Sequence, residues 1–208
     1  GNRASQAVLG GSLHAFGILS AMDPGAMVGK LFAVSPAALE RTGGFAALTG
    51  HLGEDMEMAR RMRAAGLQVR PSSQVVRSHP APRALTEVVA RHARWMAVIR
   101  AQRPWLLITY PLMFASTPLL LLLAAVGAMW SPWVALLGLG LGLAGRLVVG
   151  LGARRFSGQS WNPVRGIVDL VLADLVILWA LARVLSTRRV QWRGRSLLID
   201  RQGRLQEA

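Results

Sequence analysis

The sequence WLLITYPLMFASTPLLLLLAAVGAMW (residues 105–130) contains no charged side chain. About 20 consecutive apolar residues span a bilayer as a helix, so this run is long enough to cross a membrane. Pro111 and Pro118 are expected to kink the helix. Aromatic residues stand where membrane interfaces favour them, at Trp105, Tyr110 and Trp130. The run therefore predicts a transmembrane segment.

A second apolar run, PWVALLGLGLGLAGRLVVGLGA, covers residues 132–153 and follows the first after a short turn at 131–132. The two runs together predict a helical hairpin in the membrane. Arg146 lies towards one end of the second run, and its long side chain is expected to snorkel to the interface.

A third run, GIVDLVLADLVILWALARVL, covers residues 166–185 and contains Asp169 and Asp174. Charged groups inside an apolar segment are expected to face the protein interior and to pair. We expect Arg165 or Arg183 to be the partners. Three such runs in about 80 residues favour a membrane region over the buried core helices of a soluble protein.

Charge is concentrated on both sides of this region. The 208 residues carry a net charge of +14, with net +7 over residues 1–104, +2 over 105–182 and +5 over 183–208. Basic groups beside long apolar runs favour anionic lipid headgroups as partners, and nucleic acid is not expected. The sequence contains no cysteine, which excludes disulfides and thiolate chemistry within it.

The first hundred residues predict a different kind of structure, in which short strands alternate with helices. No segment there is both long and apolar, and glycine, proline and polar residues recur. The predicted strands cover 30–35, 67–71 and 73–78. The predicted helices cover 35–45, with Ser35 as the N-cap, 54–66, which Gly66 closes, and 85–103, which stops before Pro104.

The stretch HLGEDMEMARRMRAAG (51–66) holds three of the ten acidic residues of the chain. Acidic groups at the start of a helix and arginines near its end suit the helix dipole. A carboxylate at a helix start beside cationic groups is also suited to act as a catalytic base. The residues alone leave both interpretations open.

The stretch RHARW (91–95) places Arg91, Arg94 and Trp95 on one helical face, because they are three and four residues apart. Two guanidinium groups beside an indole suit a ligand that carries phosphate next to a group that can stack. A basic amphipathic helix on the membrane surface would have the same pattern.

The order of these features resembles a known family. A G-E-D at a helix start, then R-x-x-R-W, then transmembrane helices is similar to the membrane-bound inverting glycosyltransferases with a GT-A fold. The chain looks closest to the ceramide glucosyltransferase-like family, including its bacterial hopanoid-associated members. The stretch VQWRGRSLLI (190–199) also resembles the end of that family.

The resemblance implies an α/β partial GT-A domain followed by an α-helical membrane region of two to three transmembrane helices. The C-terminal part of the catalytic domain would cover residues 1–84, and an interfacial amphipathic helix would cover 85–104. The transmembrane region would cover 105–185 and a basic tail 186–208. By itself such a fragment is expected to be inactive.

The resemblance also implies roles for particular residues. Asp55 would be the general base that deprotonates the acceptor hydroxyl, and Glu54 would support it. Arg91 and Arg94 would bind the donor diphosphate, and Trp95 would line the acceptor site. A further candidate ligand for metal or phosphate is His79.

The implied reaction transfers a sugar, with inversion, from a nucleotide sugar such as UDP-glucose to a lipid hydroxyl. A ceramide-like or hopanoid-like lipid would be the acceptor. The family uses Mg²⁺ or Mn²⁺ held by a D-x-D motif, and no D-x-D occurs in these 208 residues. The alternative is a non-catalytic membrane protein, a transporter fragment or scaffold with a basic cytoplasmic face.

The resemblance implies an integral protein of the bacterial inner membrane, with its catalytic part in the cytoplasm. Arg154, Arg155 and Arg165 would follow the positive-inside rule if the hairpin crosses twice. A third crossing by 166–185 would then place the basic tail on the opposite side, against the same rule. We therefore expect the tail to stay on the cytoplasmic side.

Overall fold

A computed structural model of the chain is mostly helical. It describes residues 3–23, 27, 31–70, 72, 83–156, 158, 162–187, 189–192, 195–200 and 203–207. The helices over this part of the chain are α1 (Arg3–Met22), α2 (Pro36–Arg41), α3 (Glu54–Ala64), α4 (Leu85–Gln102), α5 (Ser116–Gly127), α6 (Pro132–Phe156) and α7 (Pro163–Ser186). The strands are β1 (Arg189–Trp192), β2 (Arg195–Ile199) and β3 (Leu205–Glu207).

The 20-residue helix α1 was not predicted from the sequence. It packs along α7, and a β-carbon at Gly11 would lie 2.6 Å from the β-carbon of Ala173. Ala7, Gly11 and Ala15 recur every four residues and are buried, so they form a stripe of small side chains. Such a stripe lets two helix backbones approach closely.

The main core lies where α1, α4 and α7 meet. Val89 and Met96 of α4 and Ile177 of α7 are among its most deeply buried side chains. The apolar faces of α4 and α7 therefore pack against each other. This contact fixes the helix that carries R-x-x-R-W against the third apolar run.

Two of the predicted strands are wrong. Residues 31–35 and 67–70 have no regular secondary structure, while Lys30, Pro71 and residues 73–78 lie outside the described residues. A strand needs a neighbouring strand to satisfy its backbone groups, and none is described beside either segment. The apolar side chains of these segments pack instead against Met58 and Met62, two buried residues of α3. The packed side chains are Val34, Leu67 and Val69.

The predicted start of α2 and the predicted end of α3 are confirmed, whereas α2 ends at Arg41, before the predicted 45. The Ser35 hydroxyl accepts a hydrogen bond from the Ala38 N–H, which caps the start of α2. Gly66 follows α3 with a φ of 68°, a conformation that glycine adopts without strain. The described part of residues 3–84 consists of the long helix α1 followed by short helices and turns, in place of the expected α/β arrangement.

The first apolar run is broken, where the sequence predicted a kinked continuous helix. A 3₁₀ segment (Pro104–Ile108) and a π-helical segment (Tyr110–Phe114) precede α5, and the two halves are bent by 80°. Pro111 lies in the first turn of the π-helical segment. Pro118 lies in the first turn of α5, where a missing backbone N–H costs least. The two prolines therefore favour two helix starts and a sharp bend between them.

Helix α6 buries two of its three arginines, while many of its large apolar residues are exposed. Its buried residues are Arg146, Gly150 and Arg154, and its hydropathy and length suit a membrane span. The exposed fraction is 82% for Trp133 and 73% for Val148. Water does not favour this inverted distribution, whereas lipid does.

Two ion pairs join α6 to α7. Arg146 binds Asp174, and Arg154 Nη1 lies 2.7 Å from Asp169 Oδ2. All four side chains are buried. The predicted partners of the aspartates, Arg165 and Arg183, are therefore wrong.

The prediction that Arg146 snorkels is also wrong. Its guanidinium turns inward, where it also donates to Ser116 Oγ at 2.7 Å. Inward pairing keeps these charges away from the apolar outer face of the helix pair.

The basic tail forms an antiparallel sheet with strand order β1-β2-β3. The sheet also bonds to the loop that precedes α3. The Leu205 N–H donates to Gly50 O at 2.8 Å, and the Leu52 N–H donates to Gly203 O at 3.1 Å. Gly203 packs directly on Gln102 at the end of α4. The tail therefore lies at the same end of the molecule as the start of α3.

Candidate active site

The acidic pair lies in the first turn of α3, directly after a residue that packs on α4. Glu54 is exposed and Asp55 is half-buried, and Asp55 Oδ1 accepts the Met56 N–H at 2.8 Å. The preceding residue, Gly53, packs on Val98, and a β-carbon there would lie 2.5 Å from Val98 Cγ1. Glycine is therefore required for the close approach of the start of α3 to α4.

The third acid of this stretch has a structural role. Glu57 is buried and binds two arginines, with Arg60 Nε and Arg61 Nε each 2.7 Å from one of its oxygens. The hydrogen bonds from Arg60, followed by those from Arg61, lower the pKa of Glu57 from 4.5 to about 2. Arg61 also donates to Thr42 O at 3.2 Å, so Glu57 ties α3 to the end of α2. Nothing in the sequence pattern distinguishes Glu57 from the two acids before it.

Arg91 and Trp95 form a stacked pair on α4. The Arg91 Cζ lies 4.8 Å from the centre of the Trp95 ring, a cation–π contact. The His92 ring meets Trp95 edge-on, at 5.0 Å between centroids. The exposed fraction of Trp95 is 38%, so part of the indole remains open to a ligand or to lipid.

Positive charge is crowded on this part of α4. Burial lowers the pKa of Arg91, and repulsion from Arg83 and Arg94 lowers it further. Burial also lowers the pKa of Arg94, which lines a cleft between α4, the end of α7 and β1. Arginines brought together in this way are suited to bind an anion.

The fold thus connects two motifs that are separate in sequence. Val98, which contacts Gly53, follows Arg94 by one helical turn. The acidic pair therefore directly follows a residue that contacts the helix that carries the R-x-x-R-W residues. His79 lies outside the described residues.

The residues around the acidic pair do not form a metal site by themselves. No group of three or more His, Cys, Asp or Glu side chains that could hold a metal ion occurs among the residues that the structure describes. In Asp55-Met56-Glu57, the nearest approach to a D-x-D, Glu57 is already bound by two arginines. The described residues around the acidic pair therefore do not fit a metal ion.

A family model matches nearly the whole chain. The model of Glycosyl transferase family 21 matches residues 6–205. The chain belongs to glycosyl transferase family 21. No curated protein and no solved structure matches it.

Membership confirms the resemblance to the ceramide glucosyltransferase-like family and makes this chain a glycosyltransferase. The match includes nearly all of α1 and reaches the first residue of β3. In this family 21 glycosyltransferase, the unpredicted helix and the C-terminal sheet are therefore parts of the family's own domain.

Proposed function

We propose that this chain is the acceptor-side part of a membrane-bound transferase. It moves a sugar from a nucleotide sugar, such as UDP-glucose, to a lipid hydroxyl with inversion at the sugar carbon. The observation that carries the proposal is the packing of Gly53 on Val98. This contact sets a helix start that bears two carboxylates against the helix that bears the arginines and the indole.

The chemistry assigns one task to each group. Asp55 takes the proton of the acceptor hydroxyl. As it does so, the hydroxyl oxygen bonds to the sugar carbon, and the bond between that carbon and the diphosphate oxygen breaks. Glu54, the other carboxylate at the helix start, supports Asp55 in this role. Arg91 and Arg94 stabilise the departing diphosphate, and the open part of Trp95 contacts the acceptor.

We also propose that the reaction requires a divalent metal ion. Mg²⁺ or Mn²⁺ would supply further positive charge at the diphosphate. No group of side chains that could hold such an ion occurs among the residues that the structure describes. The residues named above act on the acceptor and on the outer diphosphate oxygens.

The lipid acceptor is supported by the inverted burial of α6. Its leucines and valines face outward, while the ion pairs to α7 lie within. We propose that α6 and α7 cross the membrane side by side. The buried ion pairs between them offset the free-energy cost of placing the two aspartates of α7 in the membrane. The bent segment 104–127 would then enter and leave on one side. The turn between α6 and α7, with Arg155 and Arg165 beside it, would lie on the opposite side, against the positive-inside expectation for these arginines.

This arrangement places both ends of the region on the same side of the membrane. The tail sheet bonds to residues 50–52, so the tail and the acidic pair would face the same compartment. We propose that this compartment is the cytoplasm and that the membrane is the bacterial inner membrane. The rival interpretation, a transporter fragment or scaffold, does not account for membership of a glycosyltransferase family.

The test is transfer by the full-length protein that contains this chain, in lipid nanodiscs. Radiolabelled UDP-hexoses would be offered with ceramide and with hopanoid alcohols, with Mg²⁺ or Mn²⁺ present. We expect label in the organic phase with one sugar and one class of lipid alcohol, and an inverted linkage by NMR. Label transferred to water or protein alone would contradict the lipid acceptor.

A further inference from the structure

A cleft opens between α4, the end of α7 and β1. Three alanines of α4 line it (Ala90, Ala93 and Ala97), together with one arginine from each of the three elements (Arg94, Arg183 and Arg189). The short alanine side chains leave the guanidinium groups as the bulkiest groups around the opening.

The elements around the cleft are held in place by contacts of residues that line it. Arg100 of α4 donates a hydrogen bond to Val184 O of α7, which ties the two helices beside the cleft. Val190 is buried in the main core, so β1 is anchored at its second residue. The positions of Arg183 and Arg189 relative to α4 are therefore set by the fold.

The charged side chains that line the cleft are all cationic. Among the residues that the structure describes, three arginines line it and no carboxylate does. Arg83 and Arg91 add to the positive charge around Arg94. Gathering like charges raises the free energy of the protein unless an anion binds among them.

We propose that Arg183 and Arg189 form, together with Arg94, a binding site for a phosphate group. The phosphate belongs either to the diphosphate of the nucleotide sugar or to the headgroup of an anionic lipid. The inference rests on the proposed function for the role of Arg94. It adds that α7 and the C-terminal sheet supply the second half of the anion site.

The test uses the full-length protein in phosphatidylcholine nanodiscs and inorganic pyrophosphate as the probe. Arg183→Gln and Arg189→Gln remove a charge and keep a polar side chain of similar reach. Charge-assisted hydrogen bonds are worth enough that each change should weaken pyrophosphate binding by about 10- to 100-fold in calorimetry. Arg189→Lys should have an intermediate effect, because lysine keeps the charge and loses the planar fork.

The matched control is Arg195→Gln. Arg195 lies on β2 of the same sheet, is exposed, and does not line the cleft. We expect its pyrophosphate affinity to equal that of the unchanged protein. Thermal melts of all variants verify that folding is intact.

A second arm identifies the source of the phosphate. The proteins are placed in nanodiscs that contain phosphatidylglycerol, and retained lipid is counted by native mass spectrometry. Weakened pyrophosphate binding in the two cleft variants assigns the site to the donor diphosphate. Loss of retained phosphatidylglycerol with unchanged pyrophosphate binding assigns it to a lipid headgroup.

Two results would overturn the site. One is that neither probe distinguishes the cleft variants from the unchanged protein, and the other is that Arg195→Gln behaves like them. Both readouts are binding measurements and do not depend on sugar transfer. A failure of the proposed reaction with intact phosphate binding would therefore be recognised as a separate result.

Discussion

Gly53 and Val98 are in contact at the point where α3 meets α4. A β-carbon on residue 53 would lie 2.5 Å from Val98 Cγ1, closer than carbon atoms can approach without one of them moving. Val98 follows Arg94 by four residues on α4. The contact therefore sets the distance between the acidic pair and the arginine helix.

Replacing this glycine should impair catalysis. Gly53→Ala pushes the start of α3 from α4, and a displacement of about 1 Å in a catalytic group can cost on the order of 10²-fold in rate. Steady-state kinetics of the full-length enzyme should show a lower kcat. Val98→Ala in the same chain removes the clashing atoms and should restore much of the rate.

The control for this change is Gly138→Ala in α6. Gly138 has no atom within 4 Å of the position of a β-carbon. Its variant should behave like the unchanged enzyme. Full activity of Gly53→Ala alone would show that the contact does not position the acidic pair.

Asp55→Asn should remove the proton acceptor while keeping the shape of the side chain. Loss of a general base typically lowers the rate by about 10²- to 10⁴-fold. Glu54→Gln should have a smaller effect, and Glu40→Gln, an exposed acid on α2, should have none. If Asp55→Asn transfers sugar at nearly the original rate, another group is the base.

Glu57 should make stability depend on pH in the acidic range. Its pKa is about 2 in the folded protein and ordinarily 4.5, so its contribution is complete above pH 4.5. The contribution is lost as the pH falls towards 2, and amounts to about 2 kcal/mol after discounting the exposed Arg60. Unfolding midpoints between pH 5 and 2 should fall steeply for the unchanged protein and less for Glu57→Gln. Parallel slopes for the two proteins would contradict this role.

The buried pair between Arg146 and Asp174 should be needed as a pair. Asp174→Ala leaves the guanidinium without its carboxylate and should cost about 3–5 kcal/mol of stability. Replacing both residues by leucine should cost much less, because no unpaired charge remains. Thermal stability in detergent measures both variants. Equal losses for the single and double variants would show that the packing of the side chains matters more than their charges.

The tail and the acidic pair should be labelled from the same side of the membrane. Thr49→Cys and Gln206→Cys place a thiol on two exposed residues of the joined loop and sheet. The 208 residues contain no native cysteine, so labelling within them is specific to the introduced thiol. An impermeant maleimide should miss both in intact cells and reach both after permeabilisation. Labelling of just one from outside would contradict the shared side.

The sequence by itself determined the features that depend on neighbouring residues. The cap at Ser35, the left-handed glycine at Gly66 and the stop before Pro104 all follow from local backbone geometry, and the structure has them where they were predicted. The pattern of G-E-D, R-x-x-R-W and apolar runs was also sufficient to predict the family, which the match over residues 6–205 confirms.

The tertiary structure alone decided which distant segments meet. The alternation of apolar residues near 34 and 67–69 suited a strand, but these residues pack on a helix, because packing competes with strand pairing for the same side chains. Asp174 pairs with Arg146 and not with Arg183, since a buried charge takes the partner that its helix faces. The sheet of the tail forms backbone hydrogen bonds with residues 50–52, which are far from it in the sequence. Local rules fix where an element begins and ends, whereas its partners depend on the packing of residues far apart in the chain.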